Sequence, residues 1–440
     1  MDTQTEMQVE AVKEDDRRLT VVTTGAEYVI HRSGKNGRVD CHQRLNKQRL
    51  IGTVEFDCSF STVSVERYDT TTCVLHQQLG KGLSCDYLRL QINADSVVDV
   101  LSTRALDVDV RGNLRPDYGA EKDGNVLLLD EYGGSGFYPC RGLNTAELSE
   151  LACKEWRIHC SLIGAWRLLM GVFPPRRFNL AQSFDERIVH HGSIGPWVVP
   201  PFPSDAEIES ASQYANVLVL HEGIWQGKLT RKGKRIETPE DIYAEAAYSC
   251  FDYVPVDEKD LTRVVKKAHA LGMNVIPYMS PFYSTAKRAD FLARVKETLQ
   301  KYEMDGVYYD GISSDVLDSY QMIRETRSLL GDKILYVHCT SDPLGSQNIY
   351  CPFIDTYADY ILRAEHATRL TDRYLRYVIS GHNISNAIGY VCYYDLPLDT
   401  IGALIDKALD VHARFYLGSP ETERERLLKK EYFPRLQGLR

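Results

Sequence analysis

No CxxC pair occurs anywhere in the chain: its eleven cysteines stand singly between Cys41 and Cys392. That spacing argues against a zinc ribbon or a dithiol redox motif, and an odd number scattered in this way reads as buried thiols in a reducing, cytoplasmic setting. Nor does a Gly-x-Gly-x-x-Gly or Walker-type glycine loop follow any strand-like run, which removes the usual nucleotide sites. The first sixteen residues, MDTQTEMQVEAVKEDD, are polar and acidic with no basic start ahead of an apolar stretch, so no secretory signal is expected. Long apolar runs are missing too. The most apolar segment, 162–173, falls short of the roughly 20 residues needed to cross a bilayer and contains Arg167. A basic excess is also lacking: 52 Lys and Arg against 61 Asp and Glu leave a net charge of −9, which speaks against nucleic acid or an anionic membrane as a partner.

What remains is a globular balance, 43% hydrophobic and 26% charged over 440 residues, which excludes disorder and leaves material for more than one core. Up to about residue 180 the hydrophobic period is two. Runs such as LTVVTTGAEYVIHR and KEWRIHCSLIGAWRLLMGVF are β-branched and aromatic, and are separated by clusters such as SGKNG and YGGSG. Strands without intervening helical patterns predict an antiparallel β-sandwich over 1–180, ending at the stiff polar break 174–179. Beyond it, short apolar strands alternate with amphipathic helices. Strands are expected at 187–192, 216–223, 274–280, 306–311, 333–339, 359–366, 387–395 and 413–418. Ser204 and Glu207 form a capping box for one helix, and Leu261, Val264, Val265, Ala268 and Leu271 stripe another that stops at Gly272. Eight such units over 181–440 predict a (β/α)8 TIM barrel, with an open doubly wound sheet as the alternative.

In a parallel sheet of this kind chemistry sits at the carboxyl ends of the strands. The sharpest signal is DGVYYDG at 305–311, where a bulky strand delivers Asp310 to its mouth beside a glycine, while Asp305 starts the strand at the opposite, stabilising end. The second is ADYILRAEH at 358–366. Glu365 ends this strand and shares parity with Arg363, so both are expected to point the same way. Two carboxyls facing each other over a cleft divide labour, one ionised as nucleophile and one protonated as acid, as glycoside cleavage requires. His191, His221, Glu222, Tyr278, His338 and Tyr394 close other strands, with Trp225 just beyond, and supply candidate substrate-binding groups together with Arg363. His190 and His191 are adjacent and point to opposite faces, so they do not form a metal pair. No metal and no cofactor is expected.

On these residues the second half resembles the catalytic barrels of glycoside hydrolases of the alpha-galactosidase type, in which a strand-four Tyr/Lys-x-Asp supplies the nucleophile and an acidic residue on strand six the acid/base. It also resembles barrel hydrolases in which a DGVYYDG-like strand is paired with an ADY-x-L-x-x-E-like strand and preceded by a β-sandwich. The resemblance implies a retaining glycosidase acting on an oligo- or polysaccharide or other glycoside, with Asp310 as nucleophile and Glu365 as general acid/base. The lysine usual before the nucleophile is absent, Tyr308 and Tyr309 standing in its place, which bears on whether the sugar is an alpha-galactoside. A similarity to hexosaminidases would instead have carboxyls polarise a substrate acetamido group, although Asp310 has no acidic neighbour nearer than Asp315. A sugar-binding barrel without catalysis, and a lyase or isomerase using His338 or Tyr394 as base, stay open.

Overall fold

The structure is a computed structural model that describes residues 6–80, 85–122, 124–150, 156–177, 186–192, 200–225, 253–282, 284, 288–313, 315–338, 351–363, 370–381, 384–385, 387–394 and 396–438. Its antiparallel strands end at Phe173 and its parallel strands begin at Ile188.

The N-terminal strands form one fourteen-stranded sheet rather than two facing sheets. Eleven strands follow a single path: Val9–Glu14, Arg18–Thr23, Ala26–His31, Gly37–Gln43, Arg49–Phe56, Leu106–Gly112, Trp156–Phe173, Val97–Ser102, Tyr87–Asn93, Thr72–Gln78 and Ser64–Tyr68. The amide of Val9 donates to Thr70 O at 2.7 Å, so the two ends of the path meet and the sheet curls into a near-barrel. Alternation is strict where one face is buried, as in Ala26–His31 and Leu106–Gly112. One strand explains why no sandwich forms. Trp156–Phe173 is eighteen residues long, pairs with Leu106–Gly112 along its first half and with Val97–Ser102 along its second, and carries the hairpin partner Gly133–Glu150 throughout. A single strand thus belongs to both halves that a sandwich would separate.

The C-terminal strands form a nine-stranded parallel sheet in the order Arg414–Phe415, Ile388–Val391, Tyr360–Arg363, Ile334–His338, Gly306–Asp310, Asn274–Met279, Val217–Leu220, Ile188–His191 and Leu417–Ser419. Its two outermost strands are separated in the chain only by Tyr416, so this sheet too is nearly closed. It is not the regular (β/α)8 barrel that the strand and helix rhythm predicts. The last position is split into two short strands. Two of the connections hold only a four-residue helix, Pro352–Asp355, and a three-residue helix, Asp372–Tyr374, running into the π-helical turn Leu375–Ser380 among the described residues. The expected β-sandwich and TIM barrel are therefore both replaced, by an antiparallel and a parallel near-barrel. Hydrophobic periodicity reports which faces are buried, and it does not report closure or strand number.

Local signals hold. Ser204 caps Asp205–Ser212 with Glu207 returning the bond, and Leu261, Val264, Val265 and Ala268 line the buried face of Glu258–Ala270, with Gly272 at φ +74° just beyond it. Leu271, expected in that stripe, is the cap residue and lies exposed. The two sheets share a core. Phe353 packs its ring 5.1 Å from Tyr138 and 5.3 Å from Phe173, and the buried Asp95 accepts hydrogen bonds from the hydroxyls of Tyr320, at 2.7 Å, and Tyr357. Among the described residues no helix is long and apolar enough to cross a membrane.

Candidate active site

The amino ends of the parallel strands are pinned by short polar side chains. Asn216 Oδ1 accepts from Arg187 N at 2.7 Å, Asp305 Oδ2 from Val275 N at 2.8 Å, and Asp359 Oδ2 from Leu335 N at 2.8 Å. Each ties one strand's start to its neighbour's, which fixes the register. Asp305 is thus the stabilising residue that its position in DGVYYDG predicts.

That register places Tyr278, Tyr308, Tyr336 and Tyr360 side by side across four strands. Their rings pack at centroid distances of 5.9, 4.7 and 5.9 Å along the row, all but completely buried. Aromatic rings in such offset and edge-on contacts fill the interior as a stiff layer. Parity then carries every second residue to the same face, so the next layer toward the carboxyl ends is Asp310, His338 and Leu362. His190 completes the floor, its ring 4.5 Å from Tyr416, 5.3 Å from Tyr308 and 5.4 Å from Tyr336.

Asp310 is held from both sides. The Tyr278 hydroxyl donates to Oδ2 at 3.0 Å, and His338 Nδ1 lies 3.1 Å from Oδ1 and 3.0 Å from the Tyr308 hydroxyl. Ser280 Oγ donates to the Asp310 carbonyl, while Gly311, at φ +76°, turns the chain and donates its amide to His338 O at 2.8 Å. The Asp310 side chain keeps 17% of its surface accessible, against 8% for His338, so the carboxylate is the more open of the two. Burial pushes the Asp310 carboxyl up, but the hydrogen bond and charge of His338, the field of His221 and the Tyr278 hydroxyl together outweigh it and hold the group below its ordinary value. Burial, with the fields of His221 and His338, drives His190 well below the ordinary histidine range, so this imidazole is neutral.

The remaining candidates divide. His221 packs its ring, tilted, 4.9 Å from Tyr278 and contacts the carboxylate of the buried Glu222, which opens a short turn, Glu222–Ile224. Trp225 is buried, donates Nε1 to Tyr278 O at 2.7 Å and meets Tyr253 edge-on at 5.7 Å, so it braces the strand next to that of Asp310, from which the Tyr278 hydroxyl reaches the carboxylate. His191 faces away, its Nε2 3.0 Å from Pro200 O and its Nδ1 3.3 Å from Ser419 Oγ. Tyr394 packs 4.9 Å from Tyr393 and 5.6 Å from Tyr416 at the far rim. Arg363 lies on the outer side of its strand, ion-paired with the buried Asp355 and donating Nη1 to Val378 O at 3.3 Å. Shared parity with Arg363 therefore gives no reason to aim Glu365 inward; Glu365 itself lies outside the described residues.

Sequence reasoning did not place Tyr308 and Tyr336 in the site. Tyr308 and Tyr336 stand two residues before Asp310 and His338, a spacing that could have marked them. Among the described residues no three His, Cys, Asp or Glu side chains gather as metal ligands.

No family model matches the chain, and no curated protein does. Among solved structures it is similar to an uncharacterized protein from Listeria monocytogenes, at 10% identity over 98% of this chain and 54% of that one with a TM-score of 0.45. A cycloalternan-forming enzyme from Listeria monocytogenes, in complex with a pentasaccharide substrate, matches at 9% identity over 98% and 53% with a TM-score of 0.44. A GH31 dextranase from Flavobacterium johnsoniae, complexed with isomaltotriose, matches at 8% identity over 98% and 69% with a TM-score of 0.39. The chain spans about half the length of the first two. Distant structural neighbours thus include glycoside hydrolases, but likenesses this remote carry no assignment.

Proposed function

We propose that this protein hydrolyses a glycosidic bond, with Asp310 as the nucleophile. One observation carries the reading. A carboxylate kept ionised by a tyrosine hydroxyl and an imidazole, and more open than its partners, stands over a stiff aromatic floor at the carboxyl ends of parallel strands. An anion fixed there is suited to capture the cationic, oxocarbenium-like carbon of a glycoside. Glu365 is assigned the acid/base role on the sequence resemblance alone, as is retention of configuration. His338, beside Asp310, and His221, against Tyr278 with Glu222 behind it, are the candidates for holding substrate hydroxyls. The aglycone and the sugar stay unspecified, and the alpha-galactosidase type is one member of this proposal.

The test is a panel of chromogenic glycosides and polysaccharides, assayed with the wild-type protein and with Asp310→Asn and Glu365→Gln. Turnover lost in Asp310→Asn while ligand binding persists supports the nucleophile. No turnover by the wild-type protein on any substrate, with sugar binding intact, makes it a binding protein. A rearranged or unsaturated product without added water makes it a lyase or isomerase. Retention is expected with the carboxyl groups of Asp310 and Glu365 about 5 to 5.5 Å apart, and inversion at about 6.5 to 9.5 Å.

A further inference from the structure

We propose that His338, as the Nδ1–H tautomer, is the positioning residue that keeps Asp310 an anion and fixes the plane of its carboxylate; this rests on Asp310 being the reactive group. An ionised carboxylate only accepts, and Oδ1 of Asp310 lies 3.1 Å from His338 Nδ1. A bare nitrogen there would set two lone pairs against each other, so the proton sits on Nδ1. The Tyr308 oxygen, 3.0 Å from the same nitrogen, then faces a donor and its own proton turns away. With Tyr278 donating to Oδ2, each oxygen of Asp310 is bound by one donor, and the two donors come from the strands on either side, Asn274–Met279 and Ile334–His338. Two donors on opposite oxygens stop the carboxylate from rotating and leave the remaining lone pairs of both oxygens for a ligand.

Of these two donors only His338 can also carry charge. Among the described residues the titratable groups facing Asp310 are Tyr278 and His338 on the flanking strands, His221 one strand further on, and Tyr308 two residues earlier on its own strand. None is acidic. Burial alone would favour the protonated acid, so removing His338 removes the largest opposing influence.

Two spectra test this without any substrate. In the wild-type protein, two-bond proton–nitrogen correlations of 15N-labelled histidine, assigned by their loss in His338→Asn, are expected to show Nδ1 protonated near neutral pH; protonation at Nε2 alone overturns the proposal. In protein labelled with 13C at aspartate carboxyls, the resonance lost in Asp310→Asn is expected to titrate about one pH unit or more higher in His338→Ala than in wild type, and less so in His338→Asn, which restores a neutral donor. An unchanged Asp310 titration in folded His338→Ala overturns it. If no glycoside is cleaved while both spectra behave as stated, the functional reading fails and the role of His338 stands. If glycosides are cleaved and the spectra do not shift, the reverse holds.

Discussion

The two near-barrels treat polar side chains in opposite ways. In the antiparallel sheet the ion pairs lie outside the apolar core, as in Arg49–Asp130, Arg157–Asp109 and Arg167–Asp99, while the inner face is built mainly from Val, Leu, Ile and Phe, with Tyr28, Trp156 and Trp166 among them. In the parallel sheet the interior itself holds four tyrosines in a row, His190, His338 and Asp310. Burying such groups costs free energy unless each finds partners, so a fold concentrates them where something other than stability is gained. The antiparallel region reads as scaffold and the parallel region as the reactive half, and the difference lies in the chemistry of the two interiors.

The sharpest way to break that contrast is to neutralise the interior charge. Asp310→Asn keeps the shape and the Tyr278 contact, so the protein is expected to fold while kcat/KM on its best glycoside falls by at least about a thousandfold; circular dichroism and steady-state kinetics check the two halves of the statement. The joint between the regions comes next. Asp95→Ala leaves the hydroxyls of Tyr320 and Tyr357 without their acceptor and is expected to cost about 2 to 4 kcal/mol in urea unfolding. A smaller effect is expected inside the scaffold. A methyl added at Gly112 would come within 1.7 Å of the Trp156 ring, so Gly112→Ala should destabilise by about 1 to 3 kcal/mol without changing KM.

The smallest effect is a pH dependence. Because His190 is buried and its folded pKa lies below its unfolded one, its contribution is complete above the unfolded value of about 6.5 and is lost as pH falls below it, with a slope of about 1.4 kcal/mol per unit for one proton. Replacing His190 by Phe removes that proton, so the melting temperature of the variant should fall less between pH 7 and pH 5.5 than that of wild type. Equal falls would return His190 to an ordinary exposed behaviour.

Legibility in the sequence followed the same division. Asp310, the stabilising end at Asp305 and the cap at Ser204 depend on a few neighbouring residues, and each is where its motif places it. Strand closure depends on pairings tens of residues apart, and the long strand Trp156–Phe173 looks the same in sequence whether it serves one sheet or two. Which face of Tyr360–Arg363 looks inward was not legible, because all four residues are buried and no polar alternation marks it, and Arg363 satisfies its charge on Asp355 outside the ring. The tyrosine row was hidden for a related reason. Tyr278, Tyr308, Tyr336 and Tyr360 come from four separate segments and form a layer only once register is known.

The most direct test is to quench the protein during reaction with activated 2-deoxy-2-fluoro glycosides and map the adduct by peptide mass spectrometry. The account predicts one glycosyl group on the carboxylate of Asp310 and none in Asp310→Asn. A glycosyl group on a different carboxylate, or steady cleavage with inverted product and no adduct, would contradict it.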